Sequence, residues 1–286
     1  MARKYEELTF TDDFMFCKIL EQNKKLCVEL LEMILEKRLG RLVQINRQKP
    51  IEITVDGKGV RFDVYAEDGS AVYDVEMQNV NRDSLPKRTR YSQGMIDLGM
   101  MERGAKYKEL HQSYIIYICK FNPFPGKNLH KYTFVNLCRE DTSIELGDET
   151  AKIILCSEGN SDDVSENMKA FLKYIAEGKP CDAFTDELER AVVDAKEHKR
   201  WRQEYMTLLE HYEIEREEGR KEGREEGLKE GREEERRNTE IERRNTEKER
   251  KRAEAAEAKI RELEKLLEKQ TRNDSGLTAY TAAQNL

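Results

Sequence analysis

Apolar positions change spacing several times along the chain, and each spacing predicts a different element. Between residues 11 and 38 they recur every three or four positions, as on two amphipathic helices. Thr11 or Asp12 is placed to cap the first helix, which puts Phe14, Cys17 and Leu20 on one face. Asn23 is placed to cap the second, which carries Leu26, Cys27, Leu30 and Ile34, and Gly40 to end it. From Ile51 to Phe134 the pattern is mostly that of strands, broken by one amphipathic helix near residues 86–103. "SYIIYICKF" (113–121) is nearly continuous in apolar residues, as expected of a strand buried on both faces. "YTFVNL" (132–137) and "AKIILCS" (151–157) predict further strands. Residues 161–212 return to helical spacing, with Met168, Phe171, Leu172 and Ile175 set for packing; beyond about residue 213 apolar residues nearly vanish.

Within the strand region, "YDVEMQ" (73–78) alternates Tyr73, Val75 and Met77 with Asp74, Glu76 and Gln78. Two carboxylates and an amide on one strand face either sit in solvent or hold something. Asp68-Gly69 is a strong two-residue hairpin signal. With those two as the loop, Glu67 faces Ser70, and the ladder pairs Val64 with Tyr73, Phe62 with Val75 and Val60 with Met77. That register sets Asp63 opposite Asp74 and diagonal to Glu76, with Gln78 on the same face. Carboxylates so placed are suited to one hard cation, since magnesium needs only one or two with waters completing its shell.

Composition narrows the classes. The 286 residues carry 51 Lys and Arg against 58 Asp and Glu, a net charge of −7, and 38% are charged. Part of the chain is therefore too polar to build a core. No apolar run has the roughly 18 residues of a membrane span, and the start "MARKYEELTFTDDFMF" lacks a signal-peptide stretch, which points to the cytoplasm and away from membranes. Cys17, Cys27, Cys119, Cys138, Cys156 and Cys181 form no C-x-x-C and read as reduced thiols, not a zinc site. His111, His130, His198 and His211 are isolated. Trp201 and Tyr205, on a charged helix, read as docking residues. Asp12 and Asp13 read first as helix-capping acids, although first-helix acids can support a metal in related folds, and Asp74 either belongs to the metal face or is simply solvated beside Asp63.

The tail repeats glycine every four residues at 219, 223, 227 and 231, then repeats "RRNTEIE RRNTEKE" with a period of seven. Ala253, Ala256, Ile260, Leu263 and Leu267 follow in 3-4-3-4 spacing. Two readings stand: a solvated, salt-bridged helix that frays alone, or a short coiled-coil seam joining two copies weakly through the C-terminal helix.

In order, "TDDFMFCKIL", "RFDVYAEDGSAVYDVEMQ", "PKRTRYSQGMID" and "GAKYKELHQSYIIYICKF" resemble the Rpn family of recombination-promoting nucleases and putative transposases, within the PD-(D/E)XK nucleases. The likeness covers roughly residues 8–157. It implies an α/β, restriction-endonuclease-like core with a mixed central sheet flanked by helices, followed here by a helical, coiled-coil tail. The implied division is a nuclease-like domain over 1–160, a helical extension over 161–212, a charged helix over 213–270 and a disordered end over 271–286. By the same resemblance Asp63 and Glu76 bind Mg²⁺ (or Mn²⁺), and Gln78 takes the lysine position of the motif. Arg88 and Tyr91 fall where the family places an Arg and a Tyr on the following helix. Phe62, not proline, precedes Asp63. Without the lysine, the metal must supply most of the charge stabilisation, assisted by Arg88.

Residues 82–131 hold ten Lys or Arg, among them Arg82, Lys87, Arg88, Arg90 and Arg103, against Asp83, Asp97, Glu102 and Glu109. This excess suits DNA phosphates, with Lys87, Arg88, Arg90 and Tyr91 as contacts, or equally an ordinary basic helix face. Three classes follow: a metal-dependent DNA endonuclease, a weak or inactive nucleic-acid-binding protein on a nuclease scaffold, and a coiled-coil scaffold. No P-loop, nucleophile elbow or dinucleotide fingerprint is present.

Overall fold

The computed structural model describes residues 3–51, 60–81, 84–101 and 104–283. Six strands form one mixed sheet in the order β1-β2-β3-β4-β6-β5. They are β1 (Gln44–Ile51), β2 (Val60–Glu67), β3 (Ala71–Gln78), β4 (Gln112–Cys119), β5 (Lys131–Phe134) and β6 (Thr150–Cys156). The first three pair antiparallel, β3-β4 and β4-β6 pair parallel, and β5 lies antiparallel on β6 at the edge.

Helices cover both faces. α1 (Asp13–Gln22), α2 (Lys24–Leu35), α4 (Glu166–Glu177) and α5 (Ala183–Glu197) pack against one, and α3 (Leu85–Met100) against the other. The apolar residues that set the helical spacing are the ones buried: Phe14, Cys17 and Leu20 on α1, Leu26, Cys27, Leu30 and Ile34 on α2, and Met168, Phe171, Leu172 and Ile175 on α4. β4, the continuous apolar run, is buried on both faces from Ser113 to Cys119, as its position under two helical layers demands.

α2 stops before the glycine predicted to end it. Glu36 takes the left-handed conformation (φ 55) and closes the helix, its carboxylate accepting a hydrogen bond from Lys131 Nζ at 2.6 Å. Asp12 and Asn23 sit at the N-cap positions of α1 and α2, but neither side chain caps its helix. Asp12 instead accepts from the Thr9 backbone N–H and from Arg3.

The chain divides into two compact units, Met1–Leu209 and Glu210–Leu286. α6 (Lys199–Ala283) begins in the first. There Tyr205 donates to the Arg3 carbonyl at 2.8 Å and rings with Phe14 at 5.3 Å, while Trp201 lies under Lys18, itself paired with Glu204 at 2.5 Å. Both aromatic residues therefore dock the helix start, as the sequence predicts. In the second unit every residue from Glu210 to Leu266 is exposed. The helix passes through all four glycines and continues through 271–283, where the sequence predicts no order. No helix among the described residues is long and apolar enough to cross a membrane.

Candidate active site

The β2–β3 hairpin builds the site, and its turn differs from the predicted one. Asp68 and Ala71 close the turn, the Asp68 N–H donating to the Ala71 carbonyl at 3.2 Å, so Gly69-Ser70 are the central residues. Gly69 takes φ +86, which a side chain disfavours, and glycine suits the first central position of a two-residue hairpin. Asp68 fixes this choice: its Oδ1 accepts from the Ser70 N–H, the Ser70 hydroxyl and the Ala71 N–H, and its Oδ2 from the Tyr73 hydroxyl. Burial acts to raise its pKa, but these hydrogen bonds outweigh it and the net shift is downward.

Moving the turn by one residue moves every pairing by two. The ladder is Val64 with Val75, Tyr65 with Asp74, Ala66 with Tyr73 and Glu67 with Val72. Asp63 thus falls opposite Glu76, where the sequence placed it opposite Asp74. Their side chains replace the next ladder bonds: the Asp63 N–H donates to Glu76 Oε1 at 3.1 Å, and the Met77 N–H to Asp63 Oδ2 at 3.1 Å. Phe62 also departs from prediction. It joins the α3-side cluster, its ring 6.1 Å from Tyr65, and not the opposite cluster that holds Val64 and Val75.

The polar face of "YDVEMQ" is not solvated. β3 is buried on both faces, with Asp74 wholly inaccessible and Glu76 5% exposed, because α3 lies over that face. Burial pushes the Asp63 carboxyl up to about 8, with Glu76 and then Asp13 adding negative charge, against the Met77 N–H and Arg88. Burial also raises Glu76, to about 7, with the Asp63 N–H and Arg88 opposing. Asp74 is also held well above the usual carboxylate range, by burial and then by Glu76 and Asp63. Neither Asp74 oxygen meets a hydrogen-bond donor among the described residues. Adjacent ionised carboxylates only accept; a proton on Asp74 makes it a donor to Glu76.

Arg88, one turn into α3, answers this cluster. Its Nη2 lies 3.7 Å from Glu76 Oε2, its Nη1 donates to Gln78 Oε1 at 2.9 Å, and its guanidinium sits 5.5 Å from the Tyr117 ring centre. Ser84, at φ 78, starts α3 by accepting from the Lys87 and Arg88 N–H groups. Gln78 Nε2 turns back to the Met77 carbonyl at 3.1 Å. Lys87, Arg90 and Tyr91 lie on the solvent side of α3. Arg82, Asp83, Glu102 and Arg103 of the basic segment lie outside the described residues.

A profile of the PD-(D/E)XK nuclease family transposases matches residues 10–176, more than half of the chain. The chain belongs to this family. Comparison with curated proteins gave no match, and comparison with solved structures gave none. The mixed sheet between helical layers is the fold expected of PD-(D/E)XK nucleases. This nuclease family generally uses divalent metals. Among the described residues no group of three or more His, Cys, Asp or Glu is arranged to hold an ion. Asp63 and Glu76 nevertheless suit magnesium in donor type, and Asp74 leaves two buried oxygens unpartnered beside them.

For two members of the cluster the sequence leaves two readings, and the structure takes one of each. Asp74 is buried on the metal face and not solvated, which alternation cannot decide, because it shows which face a residue takes and not whether a helix covers it. Asp13 stands with the acidic cluster, the second of its two readings beside capping. Its charge reaches both Asp63 and Glu76, because Asn79 Nδ2 donates to the Thr11 carbonyl at 2.6 Å and ties the start of α1 to the end of β3. The DD pair in "TDDFMF" was the available signal.

Proposed function

We propose that this nuclease-family chain is a Mg²⁺-dependent DNA endonuclease of the cytoplasm, Mn²⁺ serving as a substitute, that hydrolyses phosphodiester bonds during recombination or transposition. The observation that carries the reading is the face-to-face pair of half-buried Asp63 and buried Glu76, with Arg88 at its rim. Three carboxyl groups with raised pKa values, one without hydrogen-bond donors, resist being ionised together unless a cation joins them.

Asp63 and Glu76 are the residues that would hold the ion. A divalent ion bound there supplies Lewis acidity toward the scissile phosphate and makes water a stronger acid. Gln78 replaces the motif's lysine with an uncharged amide that positions water by hydrogen bonding. Arg88 supplies the cation the lysine would have brought, and its bond to Gln78 Oε1 couples the two groups. Lys87, Arg90 and Tyr91, on the exposed side of the same helix, track the DNA backbone. Two copies, joined weakly through residues 236–270, would bring one site to each strand of a duplex. Ile260 and Leu263 of that seam are exposed in the single chain, as an unpaired seam requires.

Nicking of supercoiled plasmid by the full chain, followed as Mg²⁺ is titrated, tests the reading. Cleavage that rises with Mg²⁺ and is lost in Asp63→Asn and Glu76→Gln is the expected result. Metal-independent cleavage, or variants that cut like the parent, would overturn it. Salt-sensitive DNA binding without any cleavage would favour the inactive scaffold, the reading that the missing lysine supports.

A further inference from the structure

The sheet face that carries the acidic pocket continues beyond it. In register, Glu76 on β3 lies beside Tyr117 on β4, Tyr117 beside Ile154 on β6, and Ile154 beside Tyr132 on β5. Strands lie about 4.8 Å apart, so this row runs roughly 14 Å from the carboxylates to the sheet edge, about four stacked bases at 3.4 Å each. At the edge the face turns aromatic. Phe124 lies 4.6 Å from the Tyr132 ring and 5.7 Å from the Phe134 ring, at 57° and 49°. Rings so tilted do not use up one another's faces, and Phe134 is 45% exposed.

Charge singles out the same place. Acids make up about one residue in five of the chain, yet none occurs from Leu110 to Arg139, a run that carries Lys120, Lys127, Lys131 and Arg139. Lys131 is paired with Glu36; Lys120 and Lys127 have no ion pair among the described residues. Acids that reach this run from elsewhere are engaged there: Glu36 with Lys131, Asp148 with the Asn136 side-chain amide, Glu158 with the Asn122 N–H, and Asp163 with the His130 and Lys131 N–H groups. The Lys120 N–H donates to the Gln78 carbonyl at 2.9 Å, which ties the loop to the strand that carries Glu76.

Aromatic faces on a lysine-bearing segment that has no acids of its own suit unpaired nucleobases and their phosphates; paired bases in a duplex do not offer their faces. We infer that Phe134, with Phe124 and Tyr132, is a stacking platform for a single-stranded segment of the DNA that enters the acidic pocket. The substrate class is then a tailed or branched duplex, not a blunt one. This inference rests on the nuclease reading. Val135, Leu137, Ile144 and Leu146, exposed on the neighbouring hairpin, make a protein contact the competing use of this edge.

Fluorescence anisotropy of the full chain, with Ca²⁺ in place of Mg²⁺, tests it on three probes: a twelve-nucleotide oligo-dT, a blunt duplex and the same duplex with a six-thymidine tail. The tailed duplex should bind at least fivefold more tightly than the blunt one. Phe134→Ala should remove that preference without weakening blunt-duplex binding, Phe134→Trp should restore it, and Lys127→Ala should lower the salt slope by about one. Equal affinity for tailed and blunt duplexes, or no effect of Phe134→Ala, would overturn the platform and leave the nuclease reading standing. No binding to any probe would overturn both. If Phe134→Ala and Leu146→Ser each abolish a dimer seen by sedimentation and lose tail preference together, the edge is a protein contact and the inference fails.

Discussion

The two units use the same residue types in opposite ways. In the first, Glu76 is buried beside Asp63 and Asp74, and its charge is set by burial, by neighbouring acids and by Arg88. In the second, glutamates and arginines line a helix exposed throughout its described side chains, pairing at spacings of three or four, as Arg250 does with Glu247 and Glu254. Exposed pairs are screened and contribute little; buried like charges repel strongly and need compensation. An acid-rich composition therefore says nothing about chemistry until burial is known.

If that contrast is correct, neutralising the buried acids should have the largest effect. Asp63→Asn or Glu76→Gln should reduce plasmid nicking about 10³-fold or more, while the thermal midpoint in EDTA holds or rises, because a repulsion is removed. A fall in midpoint that matches the loss of cleavage would make these residues structural instead.

The next effect belongs to the exposed helix. Nothing lies within 4 Å of a Cβ added at Gly219, Gly223, Gly227 or Gly231. Replacing all four with alanine should stabilise the helix of a 210–286 peptide by about 4 kcal/mol in sum, seen as a rise in circular-dichroism helicity. Unchanged helicity would mean that something other than backbone propensity holds this segment.

A smaller effect concerns pH. The folded, metal-free protein holds protons on Asp63 and Glu76 more tightly than the unfolded chain does. Their contribution is therefore complete below about pH 4 and declines as pH rises toward 8. In EDTA, stability should fall on the order of 1–3 kcal/mol between pH 5 and 8, several degrees in midpoint, and Mg²⁺ should reduce the fall. A midpoint that climbs over this range in EDTA would contradict the buried cluster. Smallest of all, Arg250→Ala on the exposed helix should shift stability by no more than about 0.5 kcal/mol.

The sequence alone determined the element types. Helical spacing in residues 11–38 and 161–212, and the continuous apolar run that became β4, reflect one local fact: side chains repeat every 3.6 residues on a helix and every two on a strand. That Asp63, Glu76 and Gln78 share one strand face, and that Arg88 follows on the next helix, was legible from alternation and motif order; that Asp63 faces Glu76 was not. Nor was the turn. Asp68-Gly69 is a good turn pair by itself, but the hydrogen bonds that Asp68 makes to Ser70, Ala71 and Tyr73 favour Gly69-Ser70, and a one-residue choice there resets every cross-strand partner. Burial of Asp74 and the reach of Asp13 were also decided by tertiary structure. A strand's alternation names a face, and only the packing of α3 over it, and of the α1 start against Asn79, determines whether that face meets water.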